Sequence, residues 1–135
     1  MALPLSDLRF LVVEDEYYIA DDIAQALRRQ GADVLGPAMD PAEALALLED
    51  AGSLDGAILD VNLCGMPVYP VAEALRRRAV PFMFATGYDG AVIPDAYADV
   101  PRWEKPFSAD LLARRLPGLM RVHPARPRIV RAASR

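Results

Sequence analysis

Cysteine, histidine and lysine are scarce in this sequence, each occurring once among 135 residues. A single cysteine, Cys64, cannot form an internal disulfide bond, which excludes a disulfide-stapled scaffold and fits a reducing compartment. We expect its side chain to be buried. The one histidine, His123, lies near the C-terminus, so a zinc site built from cysteine and histidine ligands is not expected.

Long apolar runs are also missing. The longest stretch without a charged side chain, residues 61–72, is interrupted by Gly65, Pro67 and Pro70 and is too short to cross a bilayer. The first ten residues lack the apolar core and small-residue cleavage site of a signal peptide. The sequence therefore predicts a cytoplasmic location and no membrane partner.

Acidic residues are absent from the last part of the chain. All 19 of them precede residue 114, whereas residues 114–135 hold seven arginines. This basic segment could contact nucleic acid, an acidic membrane face or the acidic surface of its own domain. It contains no phenylalanine, tyrosine or tryptophan to stack on bases, so nucleic acid is not expected as a partner. We interpret residues 1–120 as one domain and residues 121–135 as a disordered tail rich in arginine and proline.

Apolar runs typical of strands alternate with amphipathic segments typical of helices. This order predicts an α/β fold with a doubly wound, five-stranded parallel sheet that is covered on both faces. Only 18 residues separate Thr86 from Lys105, and two glycines and two prolines lie among them, so the fourth helix is expected to be short or irregular. The predicted strands are 9–13, 33–35, 56–60, 80–85 and 99–104, and the predicted helices begin near 18, 41, 69 and 108, the last ending at 116.

Polar side chains follow the predicted strands at their carboxyl ends, where doubly wound folds bind their ligands. Glu14 and Asp15 follow the first strand, and Asp60 ends the third. Three neighbouring carboxylates would repel one another and would be costly to bury without a cation. Mg²⁺ prefers such oxygen ligands, so these three residues are the predicted metal ligands.

Two further polar residues end the remaining strands of this predicted edge. Thr86 ends the fourth strand, and Lys105, the single lysine among 15 basic residues, ends the fifth. An ammonium group can approach one anionic oxygen where the planar guanidinium of arginine would not fit. A metal, an ammonium and a hydroxyl group together can hold a phosphoryl group during its transfer to a carboxylate nucleophile, for which Asp60 is the candidate.

The strand-end residues named above resemble, in their type and chain order, those of response-regulator receiver domains of the CheY-like family. The resemblance covers about residues 8–118. The resemblance implies the flavodoxin/CheY-like strand order 2-1-3-4-5, with Asp60 as phosphoacceptor, Thr86 as switch hydroxyl and Lys105 as the family's lysine. It further implies that the Asn62 backbone carbonyl completes the Mg²⁺ site and that the Lys105–Pro106 bond is cis. The implied partner is a sensor histidine kinase, and the implied role is that of a signalling protein and not a classical enzyme.

Residues 84–88, with the sequence Phe-Ala-Thr-Gly-Tyr, are similar to the signature of a subgroup of stand-alone receivers. That FATGUY signature is Phe-Ala-Thr-Gly followed by a hydrophobic residue and tyrosine, whereas here Asp89 follows Tyr88. The subgroup implies a kinase of the HWE or HisKA2 type and an output that controls phosphoryl flow. The downstream partner cannot be named from the sequence.

Three residues next to these motifs need an interpretation of their own. Arg102 stands where receivers usually carry an aromatic side chain that swings inward when the phosphoryl group binds. Trp103, on the opposite face of the same strand, is more simply a core residue. Tyr88 either lies over the phosphoryl group and hinders attack by water, or packs against the shortened loop.

Other classes of function are open at this point. A phosphatase of the haloacid dehalogenase type also uses an aspartate with Mg²⁺, but its nucleophile ends the first strand and an acid follows two residues later. Here the candidate ends the third strand, and Asn62 follows it. A phosphorylation-independent scaffold, or a DNA-binding regulator acting through the basic tail, are the remaining alternatives.

Overall fold

Five short segments pair side by side as parallel strands in the computed structural model, which describes residues 3–87 and 93–122. A two-stranded antiparallel hairpin, β4 (Asn62–Leu63) and β5 (Met66–Pro67), follows the third of them. The strands of the sheet are β1 (Arg9–Val13), β2 (Asp33–Ala38), β3 (Gly56–Asp60), β6 (Phe82–Thr86) and β7 (Arg102–Glu104). They lie in the order β2-β1-β3-β6-β7, which confirms the predicted doubly wound arrangement.

Four α-helices in the described part of the chain cover the two faces of this sheet. They are α1 (Tyr17–Arg29), α2 (Pro41–Glu49), α3 (Tyr69–Arg77) and α4 (Ala109–Val122). One core cluster joins α1 and α4 to one face, and a second joins α2 and α3 to the other. The central strand β3 is buried along its whole length, which explains its continuous apolar run.

The start of α2 follows the sequence signal. The Asp40 side chain accepts a hydrogen bond from the Glu43 backbone N–H at 2.8 Å, and Glu43 Oε1 accepts one from the Met39 backbone N–H at 2.8 Å. The first bond satisfies an N–H donor that the helix itself leaves free, and the second ties Met39, just before the cap, to the first turn. Pro41 occupies the first helical position, as predicted.

The connection between β6 and β7 contains, within its described residues, a single turn of 3-10 helix at Asp95–Tyr97. This confirms the prediction that the helix between the last two strands of the sheet is short or irregular. Tyr97 is buried, and its ring stacks on that of Tyr69 with centroids 5.3 Å apart. The Tyr97 hydroxyl donates a hydrogen bond to Glu73 Oε2 at 2.9 Å, so the turn is tied to α3 by side chains.

Two details of the helices differ from the sequence-based expectation. The helical spacing of Tyr18 with Ile19 and Ile23 predicts that it lies on the apolar face of α1, but it is 77% exposed, because the helix turns smaller residues such as Ala20, Ala24 and Ala26 toward the sheet. The last helix continues beyond Leu116 through Pro117 to Val122: the fixed φ of proline is helical, although Pro117 cannot donate a backbone hydrogen bond there. Residues 123–135 of the predicted tail lie outside the described residues.

Within residues 3–87 and 93–122, none of the helices combines the length and the apolar character that crossing a membrane requires.

Candidate functional site

Three carboxylates meet at the carboxyl edge of the sheet because β1 and β3 are adjacent and in register. Val13 pairs with Leu59, so Glu14 and Asp15 beyond β1 lie beside Asp60 at the end of β3. The three side chains each offer an oxygen, and these oxygens lie within 4.8 Å of one another. Glu14 is 1% exposed and Asp60 is 6% exposed, so two of the three acids are withdrawn from water.

Lys105 contacts two of these acids from the other side of the site. Its Nζ lies 2.9 Å from Glu14 Oε1 and 3.2 Å from Asp60 Oδ2. The Lys105 backbone N–H donates to the Thr86 carbonyl at 2.6 Å, which fixes the chain as it leaves β7. The Lys105–Pro106 peptide bond is cis, as the resemblance implied.

Thr86 completes the set of predicted strand-end residues. It follows Ala85, which is the register partner of Asp60 in the neighbouring strand, and it is 2% exposed. The fold therefore brings Glu14, Asp15, Asp60, Thr86 and Lys105 to one edge, although they are spread over 91 residues of the chain. Their placement is the one expected for ligands at the carboxyl ends of parallel strands.

Burial dominates the electrostatics of the two inner acids. It raises the pKa of Glu14 to about 7, and hydrogen bonding to Lys105 opposes this shift only in part. Burial likewise raises the pKa of Asp60, with the Lys105 charge acting in the opposite direction. Burial alone would lower the pKa of Lys105, but its contacts with Glu14 and Asp60 outweigh this and raise it. One ammonium thus leaves the three acids incompletely compensated.

Asp15 behaves differently because it lies nearer the surface. Partial burial acts to raise its pKa, but hydrogen bonds, first among them that from the Cys64 thiol, lower the pKa below its usual value. Asp15 therefore stays charged while Glu14 is the acid that protonates near neutral pH. An ionised, half-exposed carboxylate is well suited to be a direct ligand of a cation.

Backbone donors orient the inner carboxylates. Glu14 Oε2 accepts a hydrogen bond from the Glu16 N–H at 3.0 Å, and Asp60 Oδ1 accepts one from the Asn62 N–H at 3.3 Å. The chain reversal after β3 therefore places Asn62 next to the site. That its carbonyl oxygen is a metal ligand stays a prediction.

The donor set fits a hard divalent cation. The site consists of carboxylate oxygens, which suit Mg²⁺, and it lacks imidazole ligands among the described residues. A divalent charge would also favour the ionised form of Glu14, which burial disfavours. The residues that would hold Mg²⁺ are Glu14, Asp15 and Asp60.

Cys64 is a site neighbour that the sequence reasoning missed. It is exposed, so the expectation of a buried thiol was wrong, and its Sγ donates a hydrogen bond to Asp15 Oδ2 at 2.8 Å. The cause is the β4–β5 hairpin, whose turn places Cys64 and Gly65 at positive φ. Asn62 Oδ1 accepts from the Gly65 N–H at 2.8 Å, and Asn followed three residues later by Gly was the available turn signal.

The structure bears differently on the three residues next to the site motifs. Tyr88 lies outside the described residues. Arg102 is exposed and pairs in register with Phe84 of β6. Trp103 points to the opposite face, where it packs against the core formed with α1 and α4 and contacts Phe107 edge-on at 6.2 Å, which confirms its predicted core role.

Comparisons with known proteins agree with this geometry. No family model matches the sequence. The transcriptional regulatory protein TcrA of Mycobacterium tuberculosis is 37% identical over 127 residues, which cover 89% of this chain and 49% of that protein. The chain thus spans about half the length of the curated relatives it matches.

Three solved structures are similar over nearly their whole length. SdrG from Sphingomonas melonis Fr1 is 41% identical with a TM-score of 0.73, and the match covers 84% of this chain and 96% of that one. A second structure of SdrG, described as its BeF3-activated conformation, is 42% identical with a TM-score of 0.69, and the match covers 83% of this chain and 95% of that one. The receiver domain from the hybrid histidine kinase CckA is 30% identical with a TM-score of 0.66, and the match covers 83% and 98% of the two chains.

Proposed function

We propose a phosphoryl-accepting function because this chain belongs to the receiver-domain family of two-component response regulators. In this proposal Asp60 takes a phosphoryl group from the phosphohistidine of a sensor histidine kinase. The observation that carries it is the setting of Asp60, a buried carboxylate at a strand end with Lys105 Nζ 3.2 Å from one of its oxygens and two further acids beside it. The BeF3-activated structure of the relative SdrG supports the same assignment, since that anion resembles a phosphoryl group.

The transfer needs one bond to form and one to break. A carboxylate oxygen of Asp60 attacks phosphorus, the bond from phosphorus to the histidine nitrogen breaks, and the electron pair returns to the imidazole. The Lys105 ammonium keeps Asp60 anionic before the attack and neutralises a phosphoryl oxygen after it. The Thr86 hydroxyl is the proposed donor to a second phosphoryl oxygen.

Mg²⁺ held by Glu14, Asp15, Asp60 and the proposed Asn62 carbonyl would neutralise the charge that builds up on the phosphoryl oxygens. Glu14 must give up its proton for this, which its raised pKa makes dependent on pH near neutrality. The protein acts in this scheme as a self-phosphorylating signalling module and not as a metabolic enzyme.

Intact-protein mass measurement after incubation with Mg²⁺ and acetyl phosphate tests the proposal. We expect a gain of one phosphoryl group in the native protein and none in Asp60→Asn. The matched control is Asp33→Asn, which removes an exposed acid at the opposite edge of the sheet and should keep the gain. Phosphorylation that persists in Asp60→Asn would refute Asp60 as the acceptor. No gain with acetyl phosphate or with a kinase would favour the phosphorylation-independent scaffold.

A narrower proposal concerns the donor. We place the chain in the FATGUY subgroup of stand-alone receivers on residues 84–88, with a kinase of the HWE or HisKA2 type as donor and control of phosphoryl flow as output. The sequence Phe-Ala-Thr-Gly-Tyr at these positions is the observation that supports this placement. Competitive transfer from a panel of purified kinases tests this, and faster transfer from kinases of other types would contradict it.

The organisation of the chain belongs to the same proposal. We treat residues 1–120 as the receiver domain and residues 121–135 as a basic extension, acting in the cytoplasm.

Arg102, exposed on β7 where receivers usually carry an aromatic side chain, is proposed to contact a partner instead of moving inward. Arg102→Ala should then change partner affinity and leave the rate of acetyl phosphate labelling unchanged.

Tyr88 is proposed to slow the loss of the phosphoryl group by hindering water. Tyr88→Ala should shorten the lifetime of the aspartyl phosphate, and Tyr88→Phe, which keeps the ring, should not. Acid-quenched samples analysed by mass over time give the two lifetimes. Equal lifetimes for native protein and Tyr88→Ala would remove Tyr88 from the mechanism.

A further inference from the structure

A cavity of about 360 Å³ lies beside the carboxylate site, between the start of α1 and the segment that leads into α4. Its apolar lining includes Ile19, Ile23 and Phe107. Lys105 and Gly87 also border it, so the cavity is continuous with the edge of the sheet where Asp60 lies. A space of this size accommodates one or two apolar side chains.

The rim of this cavity is acidic. Glu16 and Asp22, both exposed, stand on α1 at its edge, and neither has an ion-pair partner among residues 3–87 and 93–122. The one cation in the lining, Lys105, is already paired with Glu14 and Asp60. The cavity therefore suits an apolar segment flanked by positive charges.

The chain itself contains such a segment. Residues 128–131 read Arg-Ile-Val-Arg, two apolar side chains between two arginines, and no acid occurs after residue 113. We propose that residues 128–131 bind in this cavity, with Ile129 and Val130 against its apolar lining and the arginines near Glu16 and Asp22. This is an interaction of the receiver with its own basic extension, and it does not depend on the phosphoryl-accepting function.

The length of the chain permits this contact. Ala109 lines the cavity and begins α4, which ends at Val122, so the end of the helix is about 20 Å from the cavity at 1.5 Å per residue. Ile129 is seven positions after Val122, and an extended chain over seven such steps reaches about 23–25 Å. Residues 123–128 can therefore return along the helix and place Ile129 at the cavity.

A nitroxide on the extension tests the contact in the full-length chain. Ala132→Cys in a Cys64→Ser background carries the label, and paramagnetic broadening of backbone amide signals is measured without phosphodonor or Mg²⁺. We expect strong broadening at Ile19, Ile23 and Ala109 and little at Ala44 and Ala72, which lie in the core cluster on the other face. The broadening should weaken between about 0.05 and 0.5 M NaCl, because the attraction is screened.

Charge variants give the specificity. Arg131→Glu should abolish the local broadening, whereas Arg135→Glu, a matched charge change outside the segment, should largely keep it. Asp22→Lys should also abolish it, and the combination of Asp22→Lys with Arg131→Glu should restore it.

Three outcomes would overturn the proposal. These are broadening spread evenly over the surface, equal effects of Arg131→Glu and Arg135→Glu, and broadening of isotope-labelled protein by a separate spin-labelled molecule at equal strength. The last would assign the cavity to the extension of a second copy. Since no phosphorylation enters the measurement, its failure would leave the proposed function of Asp60 untouched.

Discussion

Glu14 illustrates how one side chain can link folding to ligand binding. It is almost fully buried, yet its neighbours are two further acids and a single ammonium. Burial of a charge without full compensation destabilises the folded state, and the carboxylate responds by binding a proton more tightly. A divalent cation would compensate the same buried charge, so a proton and a metal ion compete for Glu14.

This competition predicts the pH dependence of stability without Mg²⁺. The pKa of Glu14 rises from 4.5 when unfolded to about 7 when folded, so the folded protein binds more protons between these values and loses stability as pH rises. From pH ~5 to ~8 the unfolding free energy should fall by up to about 3 kcal/mol. Asp60, with a raised pKa, adds to the same trend, and Lys105 stays charged throughout.

Urea unfolding of Glu14→Gln at several pH values measures this effect. The variant should show a much flatter pH profile, and Mg²⁺ should no longer raise its stability strongly at high pH. Glu49→Gln, at the exposed end of α2, is the matched control and should keep the native profile. An unchanged slope in Glu14→Gln would show that another group titrates.

At the scale of elements, β2 depends on a backbone conformation that few residues adopt. Gly36 lies within this strand with φ +97°, next to the irregular pairing between β1 and β2. A Cβ at this position would come within 2.8 Å of the Ala38 nitrogen and 3.0 Å of the Val12 oxygen, both backbone atoms. The strand can therefore keep its register only with glycine here.

Gly36→Ala should lower the unfolding free energy by about 2–4 kcal/mol, from the strained φ and the backbone contacts together. Gly52→Ala is the matched control, since Gly52 has φ +68° but open space around it. It should cost only about 1 kcal/mol. Denaturant unfolding compares the two, and equal losses would mean that crowding at Gly36 is unimportant.

The single turn Asp95–Tyr97 is too short to be stable as an isolated helix, so contacts of its side chains must hold it in place. Tyr97 stacks on Tyr69, donates to Glu73, and lies under the Arg76 guanidinium at 4.5 Å. Phe84 of β6 contacts both tyrosine rings edge-on. This cluster connects the irregular segment to the strand that ends at Thr86.

Tyr97→Phe should cost about 0.5–1.5 kcal/mol of stability through the lost hydrogen bond to Glu73. Tyr97→Leu should cost at least a further ~1 kcal/mol, because it also removes the aromatic and cation–π contacts. Tyr18→Phe, at a 77% exposed tyrosine, should change stability by less than about 0.5 kcal/mol. Thermal unfolding of the three variants measures these losses. Similar losses for Tyr97→Phe and Tyr18→Phe would contradict the role of the Glu73 contact.

At the scale of the whole molecule, the two core clusters and the acidic edge are parts of one folding unit. The sheet that separates the clusters also sets the spacing of Glu14, Asp15 and Asp60. A ligand that binds these acids only in the folded state must therefore stabilise the entire domain.

Mg²⁺ at about 100 times its dissociation constant should raise the unfolding free energy by about 2.7 kcal/mol. Asp15→Asn should remove most of this gain while leaving the stability in metal-free buffer close to native, because Asp15 lies at the outer side of the site. Calorimetry over a range of Mg²⁺ concentrations gives both values. An Mg²⁺ effect that survives in Asp15→Asn would place the cation elsewhere.

The sequence alone determined the fold and most of the candidate site, for a physical reason. Apolar runs that alternate with amphipathic segments can be buried only in a sheet covered on both faces, and polar residues at the carboxyl ends of its strands must then meet. The sequence pattern alone is enough to select Asp60, Glu14, Asp15, Thr86 and Lys105 in this way.

Only the tertiary structure decided what depends on distance across the chain and on burial. The contact of Cys64 with Asp15 joins residues 49 positions apart. It depends on a hairpin turn that the periodicity of apolar residues in the sequence does not predict. The raised pKa of Glu14 follows from the packing around it, and Tyr18 faces solvent because of the rotation of α1 on the sheet. Local patterns fix which face of an element is apolar, whereas exposure and proton affinity are set by the neighbours that folding supplies.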